Sequence, residues 1–250
     1  PPRGAAGLRI AVVRLPRMSN VTDVDPLAAE PGVVVELAST PAQLDGADLV
    51  ILPGTRATVS DLGWLRDSGL AAAVTARAAR GGAVLGICGG YQMLAREIND
   101  DVESRAGTVP GLGLLPATVW FGAAKTLGRP AGAALGEPVS GYEIHHGAVT
   151  PDGGEAFLDG VEAGSVRGTT WHGIFENDGF RRAFLRDLAA RAGRDFTPAP
   201  DVSFAVVREQ RYDVLADLVG EHLDTDAVGA LIDGGVPAGL PTLLRGLAPA

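Results

Sequence analysis

Short apolar runs alternate with stretches of helical spacing along the first hundred residues. Residues 8–13 (Leu-Arg-Ile-Ala-Val-Val) read as a strand, and 33–37, 47–52 and 83–87 as three more. Residues 59–79 carry Leu62, Leu65, Leu70 and Val74 at helical spacing and predict one or two helices. Residues 89–98 recover that period, with Met93, Leu94 and Ile98 on one face. Strands alternating with helices predict an α/β fold: an open, doubly wound, mostly parallel sheet with helices on both faces. Too few strand–helix pairs are present for a closed barrel.

From Leu112 the pattern turns β-like, with a strand expected at 114–121, an exposed Ala/Gly-rich loop at 122–138 and a strand at 139–149. A further strand is expected at 168–175. Helices are expected at 178–191 and 208–223, with a Pro-rich linker at 197–200 between them. The resulting division is a linker at 1–7, one domain at 8–224 and a Gly/Pro-rich C-terminal tail at 225–250. The opening residues lack an initiator Met and read as a linker, so a segment of a longer polypeptide is expected.

Composition is that of a globular chain: 250 residues, 46% hydrophobic and 20% charged. A net charge of −9 disfavours nucleic acid or an anionic membrane as partner. No apolar run approaches the roughly 20 residues that span a bilayer. The single cysteine, Cys88, excludes an intrachain disulfide and fits a reducing, cytoplasmic setting.

Cys88 changes the picture most. Gly86-Ile87-Cys88-Gly89-Gly90 joins an expected strand to an expected helix and has the form of a nucleophile elbow, with sulfur in place of a hydroxyl. Such a tight turn needs neighbours without Cβ atoms, and it leaves the thiol at a helix N-terminus that favours a thiolate. A lone cysteine is otherwise a small buried hydrophobe, so the nucleophile reading needs a base. Of the four histidines, His222 sits among Glu221 and Asp224 on a terminal helix and reads as a surface residue. His172 lies at a strand end, where site residues collect. In His145-His146, adjacent residues on a strand point to opposite faces, so at most one of the two is expected to face Cys88. Pro53-Gly54-Thr55 closes the third strand, where a glycine lets backbone N–H groups face a ligand. The cluster Ser19, Asn20, Thr22 and Asp23 suits helix caps and Asx-turns, and ligand contacts less. Three histidines and a cysteine could bind zinc, but no H-x-H, H-E-x-x-H or C-x-x-C spacing is present. No metal site is expected.

These pieces resemble the class I, triad-type glutamine amidotransferase domain, and within it the C-terminal half of the cobyric acid synthase family. The resemblance is carried by residues 15–27, 52–55 with 61–66, 86–94, 141–147, 168–176 and 204–213, and covers about 8–224. It implies a flavodoxin-like α/β fold and hydrolysis of L-glutamine. Cys88 would attack the carboxamide to give a glutamyl thioester, with His172 as acid and base. Gly54 and Gly89 would supply oxyanion-hole N–H groups, and Gln92, His145, Gly147 and Ala148 would contact glutamine. It further implies an N-terminal ATP-dependent amidoligase domain as partner. That half would hold ATP and Mg, leaving no cofactor in this domain. The ammonia would amidate corrinoid carboxylates, those of adenosylcobyrinic acid a,c-diamide, in cobalamin synthesis. The family's usual glutamate two residues after the histidine is Ile174 here, so the site is a dyad or borrows another acid, Glu176 or Glu143. The alternatives are the glutaminase part of cobyrinic acid a,c-diamide synthase or of a lipid II isoglutaminyl synthase, a cysteine hydrolase of another substrate, and a binding module in which Cys88 is idle.

Overall fold

The computed structural model describes residues 7–235 and 237–239. The linker expected at 1–7 therefore lies, apart from Gly7, outside the described residues, as do 236 and 240–250 of the expected tail. The chain divides into two compact units, Pro1–Phe204 and Ala205–Ala250.

The first unit opens with β1 (Leu8–Val13), α1 (Asp25–Ala29), β2 (Val33–Ala38), β3 (Leu49–Leu52), α2 (Thr58–Asp67), α3 (Leu70–Ala79), β4 (Ala83–Ile87) and α4 (Gly89–Leu94). It continues through β5 (Glu97–Asp100), β6 (Gly107–Pro110), β7 (Ala117–Gly128), β8 (Ala131–Ala134), β9 (Glu137–Ser140) and β10 (Glu143–Pro151). It closes with β11 (Glu155–Phe157), β12 (Gly160–Ala163), β13 (Val166–Thr169) and α5 (Asp178–Ala192). The main sheet has the order β11-β12-β13-β4-β3-β1-β2. It is parallel from β13 to β2, with β11 and β12 added antiparallel at one edge.

Period-two alternation along its strands splits the core into two apolar clusters, one on each face. Val13, Val50, Leu52 and Val84 pack toward Leu62, Leu65, Leu70 and Val74 of α2 and α3. Ile10, Val12, Ile51, Leu85 and Ile87 pack toward Leu27 of α1 and Phe180, Phe184 and Leu188 of α5. The doubly wound sheet expected from the sequence is thus present, with helices on both faces. A second sheet, β10-β7-β5-β6, buries Ile98, Ala117 and Val119 in the first cluster.

Register fixes the place of the site. Leu52 of β3 pairs with Gly86 of β4, and Ile87 of β4 with Thr169 of β13, so these strands end side by side. Gly54, Cys88 and His172 follow those ends, at the crevice where open α/β sheets bind ligands.

Several elements differ from the sequence reading. The helix expected at 89–98 stops at Leu94, and Ile98 lies in β5. Its last carbonyls are taken by a following segment: Leu112 N–H donates to Met93 O at 2.8 Å, Leu114 N–H to Leu94 O at 2.9 Å and Gly113 N–H to Ala95 O at 2.9 Å. Residues 122–138 are not a loop but the outer part of β7, then β8 and the start of β9. The strand expected at 139–149 is broken at Gly141 and Tyr142 into β9 and β10, and that expected at 168–175 ends at Thr169. Residues 59–79 form two helices.

The second unit contains most of α6 (Phe204–His222), followed by α7 (Thr225–Gly234), where a tail was expected. Asp224 caps α7, accepting the Ala227 N–H at 2.9 Å. Among the described residues no helix is long and apolar enough to cross a membrane.

Candidate active site

Cys88 stands between β4 and α4 at φ 50°, ψ −112°, a conformation that strains any residue with a Cβ. The neighbouring glycines make it possible. A Cβ on Gly90 would run into the Leu52 carbonyl, and one on Gly86 would lie 2.7 Å from the Tyr91 backbone nitrogen. Cys88 N–H donates to Thr169 O at 2.8 Å, and Cys88 O accepts the Gln92 N–H at 3.0 Å. Elbow, helix and β13 are thereby held together.

His172 is buried, as is Asp23, whose Oδ2 lies 2.6 Å from His172 Nδ1. The other Asp23 oxygen accepts the Gly173 N–H at 2.9 Å. With Nδ1 engaged, Nε2 is the nitrogen left for Cys88. Tyr142 stacks on the imidazole with centroids 5.1 Å apart, and the two residues exchange backbone hydrogen bonds of 2.8 and 3.1 Å. Asn20 Nδ2 donates to the Tyr142 hydroxyl at 2.5 Å. The ring is therefore fixed from its edge and its face.

Burial works against a charged His172. The hydrogen bonds of Asp23 and Cys88 and the charges of both outweigh it, and the pKa is pushed up to about 10. The ring keeps its proton through neutral pH, next to the only sulfur nucleophile of the chain.

Gly54 and Gly89 converge on the same place. A Cβ on Gly54 would lie 3.0 Å from His172 Cε1, and one on Gly89 3.1 Å from the Thr55 nitrogen. The Gly54 carbonyl accepts the Ser19 N–H at 2.8 Å. Buried Asp61 ties the loops after β1 and β3 together, accepting from the Thr55 hydroxyl at 2.6 Å and the Arg17 N–H at 3.1 Å.

A cavity of about 300 Å³ opens over Cys88 and His172 and is also lined by Asn20, Thr58, Gln92, His145 and His146. Gln92 is tethered at both ends of its amide, accepting from Thr58 Oγ1 at 2.9 Å and donating to Gly147 O at 3.1 Å. His145 Nδ1 lies 2.9 Å from that same carbonyl. Ala148 is exposed, pairs with Trp120 and does not line the cavity. Contrary to strict alternation, both His145 and His146 line it, because the β7·β10 register shifts between His145 and Gly147.

The structure brings Cys88, His172, Gly54, Gly89, Gln92 and His145 together. The acid on the imidazole is neither Glu176 nor Glu143 but Asp23. Glu143 faces His145, with Oε2 3.5 Å from Nε2, and Ile174 packs in the core. The sequence signal for Asp23 was its place in the 15–27 stretch, where it read as a cap. Among the described residues no group of three or more His, Cys, Asp or Glu could hold a metal ion.

The family model of the CobB/CobQ-like glutamine amidotransferase domain matches residues 9–180. The chain is 60% identical over 250 residues to the cobyric acid synthase of Streptomyces coelicolor, a match covering 100% of this chain and 50% of that protein. It is 57% identical over 258 residues to that of Saccharopolyspora erythraea, covering 98% and 49%. The chain spans about half the length of these curated relatives, in their C-terminal half. Among solved structures, one titled "Crystal structure of glutamine amidotransferase" superposes with a TM-score of 0.54 at 22% identity, over 74% of this chain and 98% of its own. PurLQS from Thermotoga maritima does so at 0.54 and 19%, over 73% and 99%. Those likenesses establish the shared fold, and with the family match and the curated relatives they lead to one assignment: the chain belongs to the CobB/CobQ-like glutamine amidotransferase family.

Proposed function

We propose that the chain is the glutaminase part of a cobyric acid synthase, hydrolysing L-glutamine and passing ammonia to an N-terminal ATP-dependent amidoligase domain. The observation that carries this is the row Cys88, His172, Asp23 under one cavity, with the Gly54 and Gly89 backbones beside it. Relatives that bear the cobyric acid synthase name and are about twice as long support the second half of the reading. ATP and Mg would be held by that other half, and the ammonia would amidate corrinoid carboxylates in cobalamin synthesis. A free thiol as nucleophile suits a reducing, cytoplasmic compartment.

Cys88 Sγ attacks the carboxamide carbon, a C–S bond forms, and the carbonyl π pair moves onto oxygen. The N–H groups of Gly89 and Gly54 receive that oxyanion, each such donor contributing about 2.7–4 kcal/mol. His172 gives its Nε2 proton to the amide nitrogen, the C–N bond breaks and ammonia leaves. Water then attacks the thioester carbon while His172 takes its proton; the C–S bond breaks, its electron pair returns to Cys88 Sγ, and glutamate is released. Asp23 keeps the imidazole turned with Nε2 toward the sulfur throughout. Gln92 and His145 act through the Gly147 carbonyl, fixing the strand that walls the cavity.

The test is mass spectrometry of the chain after exposure to glutamine, together with ammonia release. The expected results are a glutamyl adduct on Cys88 and a His172→Ala variant slowed roughly 100-fold or more. Ammonia released at an undiminished rate by Cys88→Ala overturns the proposal.

A further inference from the structure

The catalytic row accounts for cleavage of a carboxamide, but not for choosing the amide of a free amino acid over that of a peptide side chain. On the glutaminase reading, which this inference presupposes, that choice falls to the part of the cavity farthest from Cys88. Three carbons separate the carboxamide of glutamine from its α-ammonium and α-carboxylate. A carboxamide at buried Cys88 therefore places that charged head toward the exposed rim of the cavity.

The rim carries both signs of charge. Lys125 lines it and is the sole lysine of the chain, against 20 arginines (21 Lys+Arg in all). It sits where the hairpin ladder is interrupted: Phe121 pairs with Gly147 and Thr126 with His145, so residues 122–125 bulge opposite His146 alone. Bulges beside active sites re-aim side chains. A compact ammonium on a flexible stem suits a carboxylate that arrives and leaves. Glu103 lines the same cavity, on a loop that is pinned. Buried Asp100 accepts the N–H groups of Val102, Glu103 and Ser104 at 3.0, 2.7 and 2.8 Å, and the Ser104 hydroxyl at 2.5 Å. Burial and Asp100 raise the Glu103 carboxyl pKa, and the charges of His146 and Lys125 oppose them, so these groups feel one another across the rim.

We propose that Lys125 and Glu103 read the α-amino-acid head of glutamine, Lys125 holding the α-carboxylate and Glu103 the α-ammonium. The cavity then accepts free glutamine and refuses the same amide within a peptide.

The experiment compares two alkylating agents on the full chain, followed by intact mass. 6-Diazo-5-oxo-L-norleucine carries the amino-acid head and alkylates a thiol with loss of N₂; iodoacetamide carries no head. Lys125→Met and Glu103→Gln should each slow the diazo reagent about tenfold or more, the usual weight of a charge-assisted hydrogen bond. Iodoacetamide labelling should stay within about twofold, and Lys125→Arg should recover most of the loss. Unchanged diazo rates in both variants overturn the inference, as does a parallel fall with both reagents. Arg56 also lines the cavity, and a loss in Arg56→Gln with none in Lys125→Met moves the carboxylate to Arg56 and overturns the assignment. A wild-type chain labelled at Cys88 by iodoacetamide but not by the diazo compound sinks the glutaminase reading itself.

Discussion

On the proposed mechanism, the proton on His172 decides when the site can work. Expelling ammonia requires the imidazolium, which is present below about pH 10 and lost as pH rises through that value. Asp23→Asn keeps the shape at Nδ1 and removes a charge that raises the pKa. The expected outcome is an alkaline limb of the kcat profile at lower pH, and a neutral-pH kcat down roughly 100-fold. A profile that overlays the wild type assigns Asp23 a purely structural role. Cys88 was legible in the sequence because glycines on both sides of it mark a tight strand-to-helix turn, and His172 because few side chains titrate near neutrality. Asp23 was not. Its cluster of small polar residues serves helix caps equally well, and it lies 149 positions from His172. Only the sheet brings the two together.

At the scale of elements, the elbow is a contact between backbones. Gly90 lies against the Leu52 carbonyl and the Pro53 oxygen, the latter 2.8 Å from where a Cβ would stand. Gly90→Ala should cost at least about 1–3 kcal/mol, as overpacking does, and should slow Cys88 alkylation as the turn shifts. Urea denaturation and labelling rates check both, and wild-type stability would contradict this packing. The strands of the main sheet were readable because each is buried and bounded by turn residues. The outer arm of β7 was not: residues 122–127 are exposed at every position, so no alternation marks them. Ile98 misled for a related reason, since one buried residue satisfies a helix face or a strand face equally.

Across the whole first unit, the segment before Phe204 is laced to the body by a buried ion pair. Arg181 and Glu30, both fully buried, meet at 3.2 Å. Arg181 also donates to Phe175 O and Val202 O, and Glu30 accepts the Ala199 N–H at 2.6 Å. The Pro-rich stretch expected as a linker is thus tied down by charges that composition could not place. Arg181→Met strands Glu30 and should cost about 3–5 kcal/mol by chemical denaturation. Arg181→Met with Glu30→Met should recover part of it, since no lone charge is left inside. A single variant as stable as the wild type would show the clasp to be dispensable.

Strand order carries a consequence for synthesis. β13 is made late yet lies between β4 and β12 in the finished sheet, and His172 follows it. On the proposed mechanism, a ribosome that has delivered the elbow has made a thiol without its acid, and glutamine cleavage has to wait until about eighty more residues have emerged and paired.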